Sequence, residues 1–122
     1  MFSGSITALV TPFNGQGSVD YSALDRLVDY QLEGGSDALA VIGTTGESAT
    51  MTREEIIAVM NRVIGRIGGR IPVMAGTGLA GTAKTVEQTL VAAEMGAQAA
   101  LVVTPYYNRP PQQIVYTLLE VE

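Results

Sequence analysis

Hydrophobic positions along the chain fall into two alternating patterns. Four short apolar runs, Ile6–Val10, Ala38–Ile42, Pro72–Ala75 and Ala99–Val103, lack a polar residue at every second position. Strands covered on both faces of a parallel sheet read this way. Between them the spacing changes to three and four. Tyr21, Leu24, Leu27, Val28 and Leu32 form one helical stripe, closed by Gly34-Gly35, and Ile56, Val59, Met60, Val63 and Ile67 form a second, closed by Gly68-Gly69. Thr52-Arg53-Glu54-Glu55 predicts a capping box at the start of the second helix. A third, alanine-rich helix is expected over about 82–95, with Val86, Leu90 and Ala93 on its apolar face. A fourth is expected from Pro111, with Ile114, Leu118 and Val121 on its stripe.

The strand ends recur roughly every 30 residues, and each is followed by Thr or Gly: Thr11-Pro12, Gly43-Thr44-Thr45, Gly76-Thr77-Gly78 and Thr104-Pro105. A βα unit repeated four times accounts for this, and right-handed crossovers would bring all four ends to one side. The expectation is an α/β fold, the first four βα units of a (β/α)8 TIM barrel. A whole barrel takes roughly 250 residues, so 122 residues make a half-barrel. Residues 1–122 are read as a single domain ending within the fourth helix. The competing arrangement is a doubly wound sheet. Its dinucleotide-binding form needs Gly-x-Gly-x-x-Gly after the first strand, which residues 11–17 do not supply.

Composition narrows the chemistry. The chain has no Cys and no His, which removes disulfides, thiol catalysis, imidazole bases and most zinc sites. No metal and no cofactor is expected. A net charge of −5 argues against a nucleic-acid partner. The start, Met1-Phe2-Ser3-Gly4-Ser5, does not read as a signal peptide, and no apolar run approaches the ~20 residues of a membrane span. A cytoplasmic protein without a membrane partner is the expectation.

Ligands of such folds gather at the carboxyl ends of the strands. There "GTTGES" (43–48) offers glycines that free backbone N–H groups for an anion, with hydroxyls from Thr44, Thr45 and Ser48. It lacks the Gly-Lys-Ser/Thr ending of a P-loop, so a carboxylate suits it better than a triphosphate. A glycine-rich turn whose hydroxyls cap a helix accounts for the stretch equally well. "GTG" (76–78) is a weaker signal, since bare glycine turns are mostly structural. Tyr106 and Tyr107 follow the last strand. If strand geometry persists, they point to opposite faces, and one hydroxyl could exchange protons with Thr44. Taken alone, two aromatics packing a loop or a subunit contact is the simpler account. Lys84, the sole lysine, reads as a solvated charge near the start of the third helix.

Together "FSGSITALVTPF" (2–13), "GTTGES" (43–48), "GRIPVMAGTG" (69–78) and "VTPYYNRPPQ" (103–112) resemble dihydrodipicolinate synthase. "GTTGES" alone would indicate the wider pyruvate aldolases, and "TPYYNRP" narrows it. The resemblance implies a pyruvate-dependent barrel that condenses pyruvate with aspartate semialdehyde in lysine biosynthesis, through an imine on a lysine. It implies that Thr44 and Tyr107 belong to a Thr–Tyr–Tyr proton relay and that Thr45 contacts the pyruvate carboxylate. Tyr107 would cross into a neighbouring subunit's site, while Tyr106 stacks at that interface in a homo-oligomer. The family's imine-forming lysine, second relay tyrosine and aldehyde-binding arginine belong to later βα units, and Lys84 does not match that lysine. Activity of the 122-residue chain alone is therefore doubtful. Ala49 and Tyr106 match the family's lysine feedback site, but Arg53, Ile56, Ala80 and Lys84 replace polar or acidic ligands there. Weak or absent lysine inhibition follows. The alternatives are a non-catalytic, self-associating half-barrel module and another pyruvate-dependent aldolase. Strands one and four would be open edges, so self-association is expected.

Overall fold

A computed structural model describes residues 2–107, 109–113 and 115. Four strands, β1 (Ile6–Ala8), β2 (Ala38–Val41), β3 (Val73–Gly76) and β4 (Ala99–Leu101), alternate with three helices, α1 (Tyr21–Glu33), α2 (Arg53–Ile67) and α3 (Thr82–Glu94). The four strands are parallel and lie in sequence order, β1-β2-β3-β4. Each crossover moves one place in the same direction. A doubly wound sheet reverses that direction at a switch point, and none occurs here. The expected fourth helix, with Ile114, Leu118 and Val121 on its stripe, lies for the most part outside the described residues.

Pairing in register puts Leu39 beside Val73 and Ala40 beside Met74. Neighbours in register share a face, so the sheet has two distinct sides. One carries Leu9, Leu39, Val41, Val73 and Ala75, all buried in the core with Leu24 and Val28 of α1 and Val59, Met60 and Val63 of α2. On the other side Ile6, Val10 and Leu101 are 39%, 49% and 48% exposed. Among the described residues helices therefore cover one face only, as in the wall of a barrel.

The α2 stripe is buried at all five expected positions. Thr52 accepts from the Glu55 backbone N–H, and the Glu55 carboxylate accepts from the Thr52 N–H, completing the capping box. In α1 Leu24 and Val28 are fully buried, and the Asp20 carboxylate caps the helix by accepting from Ala23 N–H.

The third helix departs from its expected face. Leu90 is 54% exposed and Ala93 is exposed, while Thr85 and Ala92 are buried at 2% each. Hydroxyls do the docking that aliphatic side chains do in α2. The Thr89 hydroxyl lies 2.7 Å from that of Thr77, just past β3, and donates to the Thr85 carbonyl at 2.8 Å. The Thr85 hydroxyl accepts from Leu79 N–H at 2.9 Å, and the Gln88 amide donates to the Gly76 carbonyl at 3.3 Å. A stripe counted from apolar letters alone cannot register a polar seat of this kind.

Two bidentate ion pairs join α1 and α2: Arg62 to Asp25 at 2.8 and 2.6 Å, and Arg66 to Asp29 at 2.9 and 2.5 Å. Hydrogen bonding from the guanidinium, opposed by some desolvation and assisted by its charge, holds both carboxyls below the ordinary value of 3.8. Between their lowered folded values and 3.8 the folded state binds fewer protons than the unfolded chain. Stability from these pairs is thus present above that window and lost as pH falls through it. Melting temperature followed from about pH 6 to about pH 2 will show a steeper acid decline in the parent than in an Arg62→Gln/Arg66→Gln variant. At neutral pH the parent will melt only slightly higher, by the same small margin that it loses in acid, because exposed pairs contribute little.

Candidate active site at the carboxyl ends of the strands

The site begins with an irregularity in the backbone. After Val41, Ile42 turns left-handed at φ 60° while remaining 1% exposed. A β-branched residue rarely adopts that conformation, so surrounding contacts must hold it there. The Ile42 carbonyl approaches Gly76 so closely that a Cβ at Gly76 would lie 2.2 Å from its oxygen. Gly78 is equally constrained, since a Cβ there would meet the Val103 nitrogen at 2.3 Å. The glycines of "GTG" thus let β2, β3 and β4 converge, and Thr77 between them turns into the core at 0% exposure.

Beyond Ile42 the chain folds into two overlapping turns, Gly46 N–H to the Gly43 carbonyl and Glu47 N–H to the Thr44 carbonyl, both 3.0 Å. Buried Thr11, from the first Val-Thr-Pro, donates its hydroxyl to the Gly46 carbonyl at 2.7 Å and ties the turn to the end of β1. Glu47 then takes a left-handed conformation (φ 59°), and its carbonyl accepts from the Thr50 hydroxyl before the capping box opens α2. Among the described residues, the N–H groups of Thr44 and Thr45 and both hydroxyls meet no protein partner. They remain available to an acceptor or an anion.

A cavity of about 490 Å³ opens at this end of the sheet. Thr44, Glu47, Ser48, Leu101, Val103 and Tyr106 are among the residues that line it. Thr45 is exposed on the same turn but does not line the cavity. Of the two tyrosines, Tyr106 forms part of the wall and is 49% exposed. Tyr107 is fully exposed with φ 78°, off the strand geometry that alternation presumes, and does not line the cavity. One chain therefore groups Thr44 with Tyr106 and leaves Tyr107 facing outward. Thr11 and Glu47 were not singled out from sequence. Their signals were the repeated Val-Thr-Pro and the acidic letter inside "GTTGES".

Lys84 stands apart from this cavity. It lines a groove of about 300 Å³ between α2 and α3, with Ile56, Met60 and Leu79 among its apolar lining and Arg53 paired to Glu87 at 2.5 Å.

Four sequential parallel strands joined by three helices, with ligand-ready groups at the carboxyl ends of the strands, define part of a (β/α)8 barrel of the enzyme type. Residues 1–119 match the dihydrodipicolinate synthetase family, and the chain belongs to it. A 4-hydroxy-tetrahydrodipicolinate synthase of Ectopseudomonas mendocina is 52% identical over 116 residues, which are 95% of this chain and 40% of that protein. The dihydrodipicolinate synthase of Aquifex aeolicus superposes with a TM-score of 0.92 at 50% identity, over 96% of this chain and 40% of the other. That of Acinetobacter baumannii, solved with pyruvate, gives 0.93 at 43%, over 95% and 40%. The chain thus spans about two fifths of the length of these relatives.

Gly76→Ala will destabilise the fold by about 1–3 kcal/mol, because backbone rather than a flexible side chain occupies the space. Gly65→Ala, inside α2 with nothing within 4 Å of the added methyl, will stabilise by about 0.5–1 kcal/mol. Urea unfolding of both variants beside the parent checks the pair.

Proposed function

We propose that this chain forms the pyruvate-binding half of a dihydrodipicolinate synthase-type enzyme, condensing pyruvate with aspartate semialdehyde in lysine biosynthesis in the cytoplasm. The observation that carries the reading is that, among the described residues, the backbone N–H groups and hydroxyls of Thr44 and Thr45 at the carboxyl end of β2 have no protein partner, in a chain of this family. These two free N–H groups and the Thr45 hydroxyl suit the carboxylate of pyruvate, an anion needing donors without a phosphate-sized cradle.

Thr44 supplies a hydroxyl within the cavity that can accept and return a proton, and Tyr107 is its partner in the relay. The exposure of Tyr107 on its own chain supports a residue acting in a neighbouring subunit's site, with Tyr106 stacking where the two subunits meet. The imine forms on a lysine of the later βα units. That amine replaces the ketone oxygen of pyruvate, which leaves as water. Loss of a methyl proton gives an enamine that attacks the aldehyde, and the adduct then cyclises. Lys84 lies on the outer helical layer and takes no part.

Two readouts test the reading on the 122-residue chain. After pyruvate and borohydride the intact mass will be unchanged, and an adduct mapped to Lys84 would overturn the assignment of the imine to the later half. In amide NMR spectra pyruvate will shift Thr44 and Thr45 selectively, and Thr45→Val will weaken that response about threefold to tenfold. Equal shifts in the Thr45→Val variant would remove Thr45 from the carboxylate site.

A further inference from the structure

Among the described residues the buried polar side chains are Thr11, Thr77 and Thr85. Thr77 and Thr85 seat α3, whereas Thr11 reaches from the end of β1 to the turn after β2. Its own backbone is fixed on both sides. Leu9 N–H donates to the Ala40 carbonyl, and Asp20 N–H to the Pro12 carbonyl, both at 2.8 Å. Standing before proline, Thr11 is also confined to extended backbone. Its target is equally fixed. Gly46 is buried, and a Cβ there would stand 3.2 Å from the Leu9 carbonyl oxygen and 3.3 Å from the Thr11 hydroxyl.

A peptide unit is planar, so a bond accepted at its carbonyl bears directly on the N–H at its other end. The Thr11 hydroxyl donates to the Gly46 carbonyl at 2.7 Å, and in that same unit Glu47 N–H donates to the Thr44 carbonyl at 3.0 Å. The Thr44 carbonyl in turn shares its unit with Thr45 N–H, which meets no protein partner among the described residues. Thr11 thus heads a hydrogen-bonded chain whose open end is the Thr45 N–H. Bonds aligned in this way polarise one another. They also oppose a specific rotation. Glu47 lies at φ 59°, where residues other than glycine are uncommon, and turning the Gly46–Glu47 unit over would relieve it. The bonds from Thr11 and to Thr44 hold the unit against that turn.

We propose that Thr11 is a positioning residue for the bound carboxylate: acting through the Gly46–Glu47 and Thr44–Thr45 peptide units, its hydroxyl orients and polarises the Thr45 N–H that receives the anion. This role rests on the reading of the turn as the pyruvate site and names the residue that sets its affinity. Thr11 does not itself line the cavity. Valine has the same shape without the hydroxyl, so it leaves the Gly46 carbonyl unpaired and the peptide unit free to turn. Serine keeps the hydroxyl and with it the chain of bonds.

The test is amide and carbonyl NMR of the 122-residue chain as parent, Thr11→Val and Thr11→Ser, first without ligand and then with pyruvate. Without ligand, Thr11→Val will move the carbonyl carbons of Gly46 and Thr44 and the amide of Thr45, leaving the α2 amides of Val59 and Val63 in place. Thr11→Ser will keep all of these near the parent positions. With pyruvate, Thr11→Val will bind about threefold to tenfold more weakly, and Thr11→Ser will bind like the parent. A purely structural role would disturb the core around Thr11 without singling out Thr45. An unmoved Thr44 carbonyl and Thr45 amide in Thr11→Val overturns the proposal, and so does parent-like pyruvate affinity in that variant. If the parent itself ignores pyruvate, the functional reading fails, and the ligand-free shifts alone decide whether Thr11 orients Thr45. Should Thr11→Val not fold, the parent decides: a Gly46 carbonyl carbon that does not respond to deuteration of the Thr11 hydroxyl removes the first bond of the chain and the proposal with it.

Discussion

The tightest approach of backbone to a glycine is that of the Ile42 carbonyl to Gly76. It leaves no room for a side chain on β3 at that level and accompanies a left-handed isoleucine at the end of β2. Much else follows from it. The turn that carries Thr44 and Thr45 starts from Ile42, so its direction is set by a buried contact rather than by the loop itself. The cavity lining correspondingly includes Gly43, Gly76 and Gly78 beside Thr44 and Ser48. A strained residue persists only where its neighbours over-determine it. Burial of the Ile42 side chain at 1% exposure supplies that restraint.

Much of this arrangement was legible in the chain. The capping box at Thr52 and Glu55 and the five buried positions of α2 follow from local chemistry and a helical period, and both stand as read. Strand order was legible only indirectly, from the evenness of the repeat. Its sequential parallel pairing is what separates a barrel wall from a doubly wound sheet. The face of α3 was not legible, because Thr85 and Thr89 seat the helix through hydrogen bonds, and hydroxyl letters carry no period. Leu90 drew the stripe to the wrong side for the same reason.

The two tyrosines show a different limit. Alternation along a strand assigns neighbours to opposite faces, but β4 ends at Leu101 and Tyr107 has a positive φ. Only the cavity wall shows which ring turns inward within one chain, and it is that of Tyr106. A residue whose role depends on a second subunit has no signature in the contacts of its own. The Thr44-Thr45 turn was partly legible: glycines and hydroxyls announce available donors, while the strut from Thr11 that holds the turn does not stand out from sequence.

The paired rungs between α1 and α2 carry a consequence beyond acid sensitivity. Asp25 and Asp29 sit one turn apart on α1, and Arg62 and Arg66 one turn apart on α2. If the helices slid past each other by a turn, one rung would re-form and the other two charges would be left facing solvent. Apolar side chains on neighbouring turns are close enough in shape to tolerate such a slip, whereas the count of matched charges is not. The ladder therefore works as a ruler. It says little about how firmly the two helices adhere and a good deal about which turn of one lies beside which turn of the other.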